Sequence, residues 1–173
     1  MSMLETIVRI YDTFVNGLAA FAGLLVGAAS LLIVIDVTIR SMGYPPPAYT
    51  IAVVEYGLLY ITMLSAPYLV RERGHVYIDA IVSRLPDFLE IALVKIAYTI
   101  AIASSLTFTV LSAQLFQEAL ESGYYDEQGV DMPYWSLYMP IPFGLGMVAI
   151  EFARYLFSTR LMHRENTDVE GSL

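Results

Sequence analysis

The stretch FVNGLAAFAGLLVGAASLLIVI, residues 14–35, decides the fold of this chain, because it runs for 22 residues without a charge. A helix advances about 1.5 Å per residue, so such a run reaches across the roughly 30 Å hydrocarbon core of a bilayer. Working outward, residues 51–70 form a second apolar run whose only charge is Glu55. A third is uncharged over residues 96–116, and a fourth over residues 134–150 before it continues through Glu151 and Arg154 to Phe157. All are too long for strands, and none alternates as a transmembrane barrel strand does. The expected fold class is an all-α integral membrane protein with four transmembrane helices, spanning about 14–37, 51–70, 91–116 and 134–157.

Composition agrees. Of 173 residues, 57% are hydrophobic, and the mean hydropathy is +0.62. A small soluble globule must also cover its own surface, so lipid has to supply the apolar solvent. The net charge of -8 comes mainly from one loop and from the tail acids between Glu165 and Glu170. No basic stripe suits nucleic acid. With no cysteine, disulfides, thiolate metal sites and redox thiols are excluded. The two histidines, His75 and His163, lie outside the apolar runs, where they cannot clasp a haem between spans, and they form no zinc-binding spacing. No phosphate-binding loop of the GxxxxGK type is present. The chain is therefore expected to be neither an enzyme nor a carrier of a cofactor or metal.

Short loops rich in Lys and Arg stay in the cytoplasm, which sets the orientation. Arg9, Arg71, Arg73, Arg84, Lys95, Arg154, Arg160 and Arg164 fall on one side and only Arg40 on the other. Both termini are expected to be cytoplasmic, with residues 1–160 forming one four-span domain and 161–173 a polar cytoplasmic tail. The first span leads into no clear cleavage site, so it reads as retained.

Between spans two and three, Tyr77, Ile81 and Leu85 recur every fourth residue beside Ile78 and Val82, with His75 and Asp79 on another face. This predicts a short cytoplasmic interfacial helix over about 75–85, closed by Pro86. Pro45, Pro46 and Pro47 stiffen the first outer loop. The second, residues 117–133, holds Glu118, Glu121, Asp126, Glu127 and Asp131 and no basic residue, a face open to a soluble partner or simply a solvated loop. Tyr134, Trp135 and Tyr138 suit the headgroup level as aromatic anchors. Pro140 and Pro142 then imply a loosened first turn or kink, tolerable where neighbouring helices satisfy the freed carbonyls.

Glu55 is the least comfortable residue, since an ionised side chain in a span is costly unless it is paired or protonated. Arg40, across the proline loop, is in reach, and Asp36 four residues before it competes for the same guanidinium. A structural cluster of Asp36, Arg40 and Glu55 is expected. Ala19, Gly23, Gly27 and Ser30 mark one face of the first span as a small-residue groove for packing within the bundle or against another subunit.

The run LSAPYLVRERGHVYID, residues 64–79, resembles the turn after span two in the small membrane subunit of tripartite ATP-independent periplasmic (TRAP) transporters, the DctQ type. The resemblance extends to Asp36 and Arg40, to Glu55, to Leu85 and Pro86, and to the aromatic and proline start of span four, covering roughly residues 8–158. It implies an accessory subunit of an ion-gradient-driven, sodium-coupled uptake system for solutes such as carboxylates in the bacterial inner membrane. Its implied partners are a large multi-span membrane subunit (M type), a periplasmic substrate-binding protein (P type) and membrane phospholipids. In that setting Arg71, Arg73 and Arg84 would face anionic headgroups, Gly74 would allow the turn into the interfacial helix, and His75 with Asp79 would lie on its polar face. The alternative from the residues is a membrane anchor or cytochrome-like subunit of a redox complex, and a third is a membrane protein with no transporter partner.

Overall fold

A computed structural model of the chain describes residues 3–72, 87–126 and 131–157. Its elements are α1 (Met3–Ser41), α2 (Tyr49–Arg71), α3 (Asp87–Ser122), β1 (Tyr125–Asp126), β2 (Met132–Pro133), α4 (Tyr134–Tyr138) and α5 (Pro140–Phe157). Among the described residues four segments are long and apolar enough to cross a membrane: Glu5–Ser41, Tyr49–Arg71, Ala92–Ser122 and Tyr134–Phe157. The all-α class and the four spans expected from sequence are what the structure has. The interfacial helix at 75–85, with Arg73, Gly74, His75, Asp79 and Arg84, and the tail at 161–173 lie outside the described residues.

Two helices outrun their apolar stretches. At 39 and 36 residues, α1 and α3 extend over about 58 and 54 Å, far beyond the bilayer core. Once a helix leaves lipid, only a breaker or a better local alternative ends it, and α3 meets none before Gly123, whose φ is +62°. Glu118 and Glu121, expected in a loop, therefore ride exposed on its last turns. The end of α1 is a two-bond cap on Gly43, at φ +82°: the Gly43 amide donates to the Arg40 carbonyl at 3.0 Å and the Tyr44 amide to the Ile39 carbonyl at 3.2 Å. Glycine adopts this left-handed backbone without a Cβ penalty.

The helices stand in a row. α1 packs on α2, α2 on α5, and α5 on α3, so α1 and α3 are the flanks. At one end, called the basic end here, α1 starts and α2 and α5 finish. At the opposite, hairpin end, β1 pairs antiparallel with β2, Tyr125 opposite Pro133 and Asp126 opposite Met132. Val94 and Tyr98 of α3 are buried against Phe152, Tyr155 and Leu156 of α5 near the basic end.

The seam between α2 and α5 is built around prolines. Pro140 has no N–H for the Ser136 carbonyl, which separates α4 from α5 at Met139; the Tyr60 hydroxyl of α2 donates to that carbonyl at 2.7 Å instead. Pro67, fully buried inside α2, likewise removes the i+4 donor of the Met63 carbonyl. Gly144 of α5 comes against that carbonyl so closely that a Cβ there would sit 2.5 Å from its oxygen. Each helix thus packs at a carbonyl that a proline has freed in the other, with a hydrogen bond at Ser136 and a close approach at Met63. Elsewhere in the spans, hydroxyls bond back to carbonyls one turn earlier, as Thr62 does to Leu58 at 2.8 Å and Ser112 to Phe108 at 2.6 Å. This removes the cost of carrying them in lipid.

Candidate functional site

Two polar constellations stand out on this apolar scaffold. The first joins three helices at the basic end. Asp12 lies on the third turn of α1, Arg71 in the last turn of α2, and Glu151 and Arg154 three residues apart on α5. Arg154 Nη1 donates to Asp12 Oδ1 at 2.8 Å and lies 3.3 Å from Glu151 Oε2, while Arg71 Nη1 sits 3.6 Å from Asp12 Oδ1 and donates to the Asp12 carbonyl at 3.1 Å. Arg71 Nη2 donates to Asn16 Oδ1, and the Tyr155 hydroxyl donates to the Arg71 carbonyl at 2.8 Å.

Two carboxylates and two guanidiniums make this cluster formally neutral. That balance is what allows Glu151 to be 1% exposed, since a lone buried carboxylate would be strongly disfavoured. Aromatic faces complete it: Arg154 stacks on Tyr11 at 5.3 Å and Arg71 on Tyr68 at 5.4 Å from the ring centroids. Arg71, only 16% exposed, directs its guanidinium at α1. Sequence reasoning passed over Asp12 entirely and used Arg154 only to count charges. The available signal was Glu151 and Arg154 at helical spacing inside an apolar run.

The second constellation lies at the hairpin end. Asp36 and Arg40 are brought together, with Arg40 Nε donating to Asp36 Oδ2 at 2.7 Å. Glu55 is not drawn into that pair. It is exposed, and among the described residues it forms no ion pair, although it borders the same open cavity of about 340 Å³ as Asp36. The aromatic residues Tyr134, Trp135 and Tyr138 share α4 at this end, Trp135 being 40% exposed.

Of the small residues expected to form a groove on α1, Gly23, Gly27 and Ser30 turn away from the bundle, while Ala19 is half-buried. The buried face of α1 carries Val15, Ala22 and Asp36, whereas Gly23 and Gly27 are exposed, with nothing within 4 Å of a Cβ placed on either. Among the described residues no group of three or more His, Cys, Asp or Glu side chains could hold a metal ion.

The family model for the DctQ component of tripartite ATP-independent periplasmic transporters matches residues 29–161. The chain belongs to the DctQ family. No curated protein and no solved structure matches it significantly. As a DctQ component it is a small membrane subunit of a TRAP transporter, a multi-pass protein of the inner membrane. The matched region holds Arg71, Glu151 and Arg154 and the whole of the second constellation, whereas Asp12 lies before it.

Proposed function

We propose that this DctQ subunit buttresses the fixed scaffold of the large transport subunit and carries no solute itself. The supporting observation is where its ionised groups go: the basic-end cluster spends two carboxylates and two guanidiniums on holding α1, α2 and α5 together. A solute or ion site would need such groups near the bilayer midplane, open to cargo. Meanwhile α1 has only 6% of its most apolar window buried, which leaves a broad face for a membrane partner.

In this proposal both termini and the basic end face the cytoplasm, where Arg73 and Arg84 would meet anionic headgroups, Gly74 would allow the turn into an interfacial helix, and His75 with Asp79 would lie on its polar face. The hairpin end faces the periplasm. There Glu118, Glu121 and Asp131, all exposed, offer an acidic surface to the substrate-binding protein, and Tyr134, Trp135 and Tyr138 anchor the headgroup level. Uptake of a carboxylate-type solute is driven by a sodium gradient acting through the large subunit.

Reconstitution tests it. Proteoliposomes holding both membrane subunits, with the binding protein outside, should take up solute on a sodium gradient, and those holding this chain alone should not. Flux through the 173-residue chain alone would overturn the accessory role.

A further inference from the structure

The open cavity at the hairpin end lies between α1 and α2, with Ile33, Ile51 and Leu58 as apolar wall and Asp36, Thr50 and Glu55 as polar residues. Asp36 is 7% and Thr50 4% exposed, and each keeps a side-chain oxygen, Asp36 Oδ1 and Thr50 Oγ1, enclosed without a hydrogen-bond partner. Arg40 engages only the other oxygen of Asp36. Glu55, at the cavity's edge, is exposed and forms no ion pair among the described residues. The site is therefore rich in acceptors and short of a cation.

We infer that this cavity receives a lysine or arginine side chain from a transmembrane helix of the large subunit. The inference rests on the accessory-subunit role proposed above. Charge complementarity selects a basic group, and the apolar wall matches the methylene stem that such a side chain lays along a surface. The two acids also select a helix-borne group over a lipid headgroup. A headgroup amine would bring its own phosphate toward both acids. A side chain rising from a neighbouring helix meets them directly.

The test uses the whole complex, with the large subunit tagged. A photo-crosslinking residue replacing Ile51, which is 63% exposed and one turn before Glu55, should form an adduct with a large-subunit peptide that bears a Lys or Arg. An adduct with phospholipid alone overturns the inference. Glu55→Lys should cut recovery of this chain with the tagged subunit about tenfold, and changing the cross-linked basic residue to Glu should restore it. Glu72→Lys, exposed at the basic end, should leave recovery unchanged. Equal recovery of the wild type and Glu55→Lys, or an equal loss with Glu72→Lys, overturns the inference. The same photo-residue at Gly27 separates the two levels of failure. Adducts with the large subunit from Gly27 but not from Ile51 sink this cavity alone, whereas no adduct and no recovery of the wild-type chain sink the accessory role as well.

Discussion

Gly144→Ala should loosen the α2–α5 seam. The added methyl would lie 2.5 Å from the Met63 carbonyl oxygen and 2.9 Å from Met63 Cβ, against ordinary contacts of about 3.4 Å. The oxygen belongs to backbone beside Pro67, so it cannot swing aside, and the helices must part by nearly an ångström. Overpacking of this kind costs about 3 kcal/mol at the upper end of its usual range. Alanine returns about 1 kcal/mol through its better helix propensity. The net loss is about 2 kcal/mol, or about 5 °C in the melting temperature of a chain this size. The assay is thermal unfolding of the purified protein in one detergent, with two controls. Gly146→Ala meets only Thr109 Cγ2 at 3.7 Å and Gly23→Ala meets nothing within 4 Å, so neither should lower the melting temperature. If Gly144→Ala melts with the controls, the close approach does not govern the seam.

Three further outcomes follow from the same contacts. Tyr60→Phe strands the Ser136 carbonyl and should cost about 1–3 kcal/mol; adding Pro140→Ala, which supplies a backbone donor, should recover part of it, and a purely additive cycle would refute the pairing. Asp12→Ala leaves Arg71 and Arg154 facing each other without their shared carboxylate and should destabilise by about 1–2 kcal/mol, a moderate figure because Asp12 is 36% exposed; an unchanged melting temperature would remove the cluster's structural role. Because the native chain has no cysteine, single cysteines report orientation cleanly. An impermeant maleimide on intact cells should label Tyr124→Cys, at a position 69% exposed, and not Glu72→Cys, and the reverse would invert the proposed topology.

The spans were legible because the transfer of an apolar run into lipid depends on the run itself. Their ends were less so, since α1 and α3 continue into water until Gly43 and Gly123 stop them. Pro140 announced a weak first turn, but the remedy for the Ser136 carbonyl it frees, Tyr60, lies 76 residues from Ser136 and needs the helix order to be known. The same holds for Asp12, which is 142 residues from Arg154 and has no local feature marking it as a partner. Asp36 and Arg40 were readable as an i,i+4 pair. Glu55 was expected to join them, yet its direction from α2 depends on how that helix is rotated against α1. The stripe of Gly23 and Gly27 was visible too, while the face α1 buries is set by Val15, Ala22 and Asp36. The turn after span two, at 64–79, pointed to the family through its residue types alone.

A row of four helices also divides the molecule in two. Residues 3–72 form one antiparallel hairpin, α1 with α2, and residues 87–157 form another, α3 with α5, and the proline-marked seam is the principal surface between them. Each half completes its internal pairing from consecutive chain, so the first can close in the bilayer while the second is still leaving the ribosome. Only the docking of the two halves, which slides Gly144 under the bare carbonyl of Met63 and brings Arg154 to Asp12, has to wait for the second hairpin.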